Sequence, residues 1–100
     1  MIYCYTSKKM VWVKVAFILI EYGGEEMELS KSTIIDRLGS LFPKQSLCSN
    51  ALTPRIKPQV SQGIFEFVNY STKIKGVRLI DRAIVLDHSS VMETWRQKIK

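Results

Sequence analysis

The sequence predicts an α+β domain with helical segments first, then a β-hairpin, then a closing helix. Two observations carry that expectation. SKSTIIDRLG at 30–39 and KQSLCSNALT at 44–53 space their apolar residues as helices do. GIFEFVNYSTKIKGVRLI at 63–80 sets two arms rich in β-branched and aromatic residues around a polar turn, NYSTK. With 100 residues, 46% apolar and 24% charged, the chain has material for one modest core and not for two. It is treated as a single domain over 1–100, with its core in 7–80 and a terminal helix at 89–100.

The elements follow in chain order. Residues 7–22 contain MVWVKVAFILI, which is too short to cross a bilayer and is interrupted by Lys14. Ser7 suits a cap, and apolar residues populate nearly every side, so this is expected to be a helix buried on most faces. Its β-branched residues also permit a strand, which would give an α+β domain without a wing. Gly23–Gly24 ends it in either case, and EEMEL is expected to be a connector. In the next helix Ser30 caps, Ile34, Ile35 and Leu38 face inward, and Gly39 is expected to make a left-handed exit. Leu41 and Phe42 tuck into the core, and Pro43 opens the following helix. That helix is expected over 44–53, with Leu47, Ala51 and Leu52 inward, Cys48 a small buried residue, Pro54 ending or kinking it, and Pro58 opposing a restart. After the hairpin, RAIVL extends the second strand or crosses to a third. A last helix starts at a capping box made by Ser90 and Glu93.

The charge is +6 and unevenly spread. Residues 1–30 carry a net −1, 31–60 a net +4 and 61–100 a net +3. Asp36 is the only acid between Glu28 and Glu66. Such a field favours an anionic partner. Two cysteines, Cys4 and Cys48, are too few for a disulfide framework, although a bridge between them stays open. With a single His there is no zinc set. His88 beside Asp87 is expected to be structural, and the scattered carboxylates group nowhere as a catalytic or metal site. The glycines of YGGEE are followed by acids, which repel phosphate. The expectation is therefore no enzyme, no cofactor, no metal and no membrane span, in a protein of the cytoplasm.

The segments STIIDRLGS and QSLCSNALTPRI, followed by IFEFVNYSTKIKGVRLI, resemble the winged helix-turn-helix superfamily over roughly residues 7–80. The first resembles its supporting helix, the second its recognition helix and the third its wing. The turn SLFPK is longer than the compact family turn, and Pro54 shortens the second helix. The resemblance implies a three-helix core with a β-hairpin wing and a C-terminal helix, binding double-stranded DNA. On that reading Gln45, Ser46, Ser49 and Asn50 face base edges in the major groove. Lys31, Lys44, Arg55, Lys57, Lys73, Lys75 and Arg78 meet the DNA backbone.

The expected role is a transcriptional regulator acting as a homodimer. Trp12, Val91, Met92, Trp95 and Ile99 offer more apolar surface than one small core needs, and are assigned to the dimer contact. A second reading has the same basic surface bind an acidic protein, making the chain an adaptor or inhibitor.

Overall fold

The computed structural model describes residues 2–43 and 49–99, excepting the side chains of 2–10, 49–50 and 84–85. The order is α1 (Ile2–Tyr22), β1 (Glu28–Ser30), α2 (Lys31–Leu41), α3 (Ser49–Ser61), β2 (Phe65–Asn69), β3 (Lys75–Leu79) and α4 (Ala83–Lys98). The strands form one antiparallel sheet in the order β1-β3-β2. The fold is α+β.

The apolar run forms a helix, not a strand. Val11, Val13, Val15, Ala16, Phe17, Ile18 and Leu19 of α1 are each 2% exposed or less. A helix this apolar has no solvent face to offer, so the other elements gather around it. Lys14 keeps a partly covered place by laying its ammonium 4.9 Å from the centre of the Phe42 ring. Burial, and then repulsion from Lys98, lowers the pKa of Lys14.

The chain leaves α1 through a close backbone approach at Gly23. Its N–H donates to the Leu19 carbonyl (2.9 Å), and its own carbonyl accepts from Glu28 N–H (3.3 Å). A Cβ there would collide with the Leu19 carbonyl oxygen and lie 2.7 Å from the Glu28 nitrogen. The segment expected to be a connector contains β1. Its three residues pair with β3 in the register Glu28↔Arg78, Leu29↔Val77, Ser30↔Gly76. No periodicity shows in so short a strand; it exists because β3 offers a free edge. Ser30 then caps α2, its hydroxyl accepting from Thr33 N–H at 3.3 Å. The exit expected at Gly39 lies two residues further on. The helix runs to Leu41 and closes with Phe42 N–H donating to the Leu38 carbonyl (2.7 Å), which carries Phe42 into the core.

Of the two outcomes open at Pro54, an end or a kink, the structure excludes the end. Helix α3 continues through Pro54 and Pro58 to Ser61. Both prolines are exposed, while Leu52, before the first, and Ile56, between the two, are fully buried. Each proline removes one helical N–H on the solvent side, and the buried residues hold the helix through the gap. The end is a Schellman motif. Ile64 N–H donates to Gln59 (2.9 Å), Gly63 N–H donates to Val60 (3.1 Å), and Gly63 takes φ +82°.

The hairpin forms where expected, with Phe65↔Leu79, Phe67↔Val77 and Asn69↔Lys75 as partners. RAIVL does not extend it. Ile80 and Asp81 both donate to the Ile64 carbonyl, which ends the ladder and leaves no strand for 83–87 to pair with. The Asp81 carboxylate instead accepts from Ala83 N–H (2.9 Å), and α4 begins there, seven residues before the expected Ser90 cap. Ser90 lies inside the helix, and the kink falls at His88 (φ −122°, ψ 20°). His88 rests edge-on against Trp12, with ring centres 5.4 Å apart.

Two residues assigned to a dimer contact belong to the chain's own core. Met92 is fully buried, and Trp95 is 7% exposed, edge-on to Phe17 (5.6 Å) and Phe42 (5.2 Å). Trp12, Val91 and Ile99 pack half-buried on the same core. The physical reason is α1: its all-round apolar surface needs a cover, and the α4 stripe supplies it. Arg96 secures that placement by pairing with Glu21 of α1 (3.0 Å) and with Glu93 (2.6 Å).

Two outcomes follow from this packing. Gly23→Ala drives a Cβ into backbone atoms that cannot step aside, and should cost about 2 kcal/mol or more in a urea titration. Trp95→Asp should unfold the chain, because losing a core Trp alone costs about 3–5 kcal/mol. A folded monomeric variant by near-ultraviolet circular dichroism and sedimentation would restore Trp95 to a dimer contact.

Candidate nucleic-acid interface

Strand alternation gives the sheet two different faces. On one face Leu29, Phe65, Val77 and Leu79 point into the core. The hairpin is longer than the core is wide, so this face continues past it. Phe67 and then Asn69 and Lys75 stand where the core has run out. Opposite them are Thr53 of α3 and Lys31 at the start of α2. These five side chains line a cleft of about 250 Å³, and no acid is among them. Within it the Lys31 ammonium donates to the Thr53 hydroxyl at 2.5 Å and sits 5.7 Å from the centre of the Phe67 ring.

The opposite face carries an ionic row across all three strands. Arg78 on the central strand is flanked in register by Glu28 and Glu66. It bonds Glu66 and lies 3.8 Å from Glu28. Tyr70 folds back over Gly76, where a Cβ would meet its ring at 2.6 Å, and donates its hydroxyl to Glu28 at 2.5 Å. Partial burial and the bond to Glu28 push the Tyr70 phenol up to about 12.

The hairpin tip is closed by its own hydrogen bonds. Tyr70 and Ser71 N–H both donate to the Ile74 carbonyl (2.9 and 3.1 Å). The Ser71 hydroxyl accepts from Lys73 and Ile74 N–H (3.3 and 3.1 Å). The tip therefore presents Lys73, Lys75 and Ile74 to solvent from a fixed base, Ile74 being 54% exposed.

The residues expected at the interface divide as follows. Lys44, Gln45 and Ser46 lie outside the described residues, as do Leu47 and Cys48. Ser49 and Asn50 open α3. Arg55 and Lys57 are exposed on α3, and Lys73 and Lys75 on the hairpin. Two expected backbone contacts are already engaged. Arg78 is held between Glu28 and Glu66 because register puts carboxylates on both sides of it. Lys31 is directed at Thr53 and into the cleft. Thr53, Phe67 and Asn69 line the cleft without being among the residues that the sequence assigns to an interface. The spacing Phe65, Phe67, Asn69 is the signal that puts the latter two on one strand face; which face borders a cleft is not a local property.

Among the described residues no helix is long and apolar enough to cross a membrane, and no three His, Cys, Asp or Glu side chains could hold a metal ion. Comparison with protein-family models, curated proteins and solved structures gives no match for this chain.

The Tyr70–Glu28 bond ties the hairpin tip to β1, and its pH dependence has a definite sign. A phenol raised from 10 to about 12 contributes stability that is complete below pH 10 and lost as pH rises toward 12. Tyr70→Phe should therefore be less stable than the parent at pH 8, with the gap narrowing between pH 10 and 12 in urea titrations. A gap that does not change across that interval would show that the phenol is not bonded in solution.

Proposed function

We propose that this chain is a winged helix-turn-helix domain that binds double-stranded DNA as a transcriptional regulator. The observation that carries the reading is the pairing of α3 with the hairpin: both border one cationic, acid-free cleft, and both carry further exposed cations. Helix α3 would enter the major groove with its first turn, which Ser49 and Asn50 open, and Gln45 and Ser46 just before it in sequence are assigned to base edges with them. Arg55 and Lys57 on α3 and Lys73 and Lys75 on the hairpin are exposed cations suited to phosphates, which set register without reading sequence. Strand β1 supports the same reading, since it ties the hairpin to the helices and gives a wing a fixed base. Arg78, with its charge already matched, has a structural part in this scheme.

A second reading is favoured by one observation. Phe67, Tyr70 and Ile74 leave aromatic and apolar surface open on the hairpin, between its cations, and that mixture also suits an acidic protein. A duplex-binding assay with competitor DNA separates the two, because only the first reading requires the chain itself to hold a duplex.

The DNA reading predicts a division of labour. Asn50→Ala should cost roughly 1–3 kcal/mol on a selected site and little on random duplex, since an amide can pair with an adenine edge. Lys73→Ala should weaken both duplexes alike and lower the slope of log affinity against log salt by about one. Salt titrations on both duplexes measure the difference. Equal losses for Asn50→Ala on the two would mean that the helix does not read bases.

A further inference from the structure

We infer that the cleft between the hairpin and α3 is a binding site for a phosphate-bearing nucleotide unit, with the phosphate held by Lys31, Lys75, Thr53 and Asn69 and the sugar packed on Phe67. The inference rests on the cleft itself and goes beyond duplex recognition.

The chemistry of the lining points one way. Lys31 uses one of its three ammonium protons on Thr53 (2.5 Å), and the others remain for a ligand. Because the Thr53 oxygen accepts that bond, its own hydroxyl proton is free to donate outward. Asn69 and Lys75 are cross-strand partners, so an amide and a second ammonium stand at the same level of the hairpin. The site thus offers two positive charges and several donors, and no carboxylate lines it. That excludes a cation and suits an anion with several acceptor oxygens.

The apolar part of the site limits the anion further. Phe67 stays 37% exposed in the concave wall, beside the Lys31 ammonium. A bare phosphate would leave that surface wet, whereas a sugar attached to the phosphate covers it. The volume, about 250 Å³, suits one nucleotide unit and falls below the usual range for a drug-sized ligand, roughly 300–1,000 Å³. Two sources carry this chemistry: a unit of a nucleic-acid backbone and a free nucleotide.

The test is a nuclear magnetic resonance titration of the full chain, following backbone amides. The probes are 2′-deoxyadenosine 5′-monophosphate, inorganic phosphate and deoxyadenosine. The monophosphate should shift the amides of Lys31, Thr53, Phe67, Asn69 and Lys75. Phosphate should shift the same set more weakly, and deoxyadenosine should shift none of it. Lys75→Met, a change at an exposed position that leaves the core untouched, should weaken both phosphate-bearing probes roughly tenfold. Phe67→Leu should weaken the monophosphate severalfold and leave inorganic phosphate unchanged. The proposal is overturned if deoxyadenosine shifts these amides as the monophosphate does, if the shifts fall elsewhere, or if Lys75→Met binds the monophosphate as the parent does.

A final arm adds a random duplex to the nucleotide-bound protein. Displacement of the monophosphate assigns the site to the backbone of bound DNA. A duplex that binds while the monophosphate stays identifies the free nucleotide as the ligand. A protein that binds the monophosphate and no duplex overturns the DNA reading and leaves this site standing.

Discussion

The structure depends on one desolvated helix. Between Val11 and Leu19 every residue of α1 is buried except the half-buried Trp12 and Lys14, and a rod that apolar is stable in water only if other elements surround it. Helices α2, α3 and α4 and the inner face of the sheet each supply part of the cover, through Ile34 and Leu38, Leu52 and Ile56, Met92 and Trp95, and Phe65, Val77 and Leu79. A small domain has little surplus stability, so these elements cannot be moved independently. The same demand explains why the α4 stripe is used up internally and why a helix with two prolines still holds its shape.

Where the cover stops, the surface takes its character. The hairpin projects past the core, and its inner face passes from buried Phe65 to exposed Phe67 and Asn69. Apart from the Tyr70 ring over Gly76, its outer face is held by charge and hydrogen bonds, with Arg78 between Glu28 and Glu66 and the Tyr70 hydroxyl on Glu28. Such exposed pairs add little stability individually. Their effect is to fix the orientation of the projecting arm, because they span β1, β3 and β2 together. Exposed cations remain on the other side of that arm and at its tip, Lys75 and Lys73, and on α3, Arg55 and Lys57. The asymmetry between a neutralised outer face and a cationic inner cleft is therefore a product of strand register.

The local elements were legible where short-range physics decides them. The Ser30 cap, the inward pair Ile34 and Leu38, the two hairpin arms and the NYSTK turn all rest on interactions within a few residues. Exposure of Lys73 and Lys75 was legible for the same reason, since a polar turn at the end of two strands has nowhere to be buried. Other features required knowledge of distant neighbours. Strand β1 exists because β3 has a free edge. Residues 83–87 are helical because no strand remains to pair with them. Pro54 and Pro58 are tolerated because Leu52 and Ile56 are anchored against other helices.

The sequence by itself determined the fold class, the strong helix and hairpin signals, and the cationic bias of everything after residue 30, since composition, capping and alternation act locally on the chain. Tertiary structure alone decided which charges are spent and which are available. Arg78 and Lys31 look alike as basic residues on a line of text. One is matched by carboxylates brought to it by register. The other is steered by Thr53, 22 residues away, into a cleft that also holds Lys75. Trp95 shows the same for apolar surface: a large exposed-looking stripe on a helix is an interface only if the chain's own core does not claim it, and the claim comes from α1, at the far end of the sequence. Contacts between residues distant in the chain depend on how the elements assemble, and no local pattern encodes them.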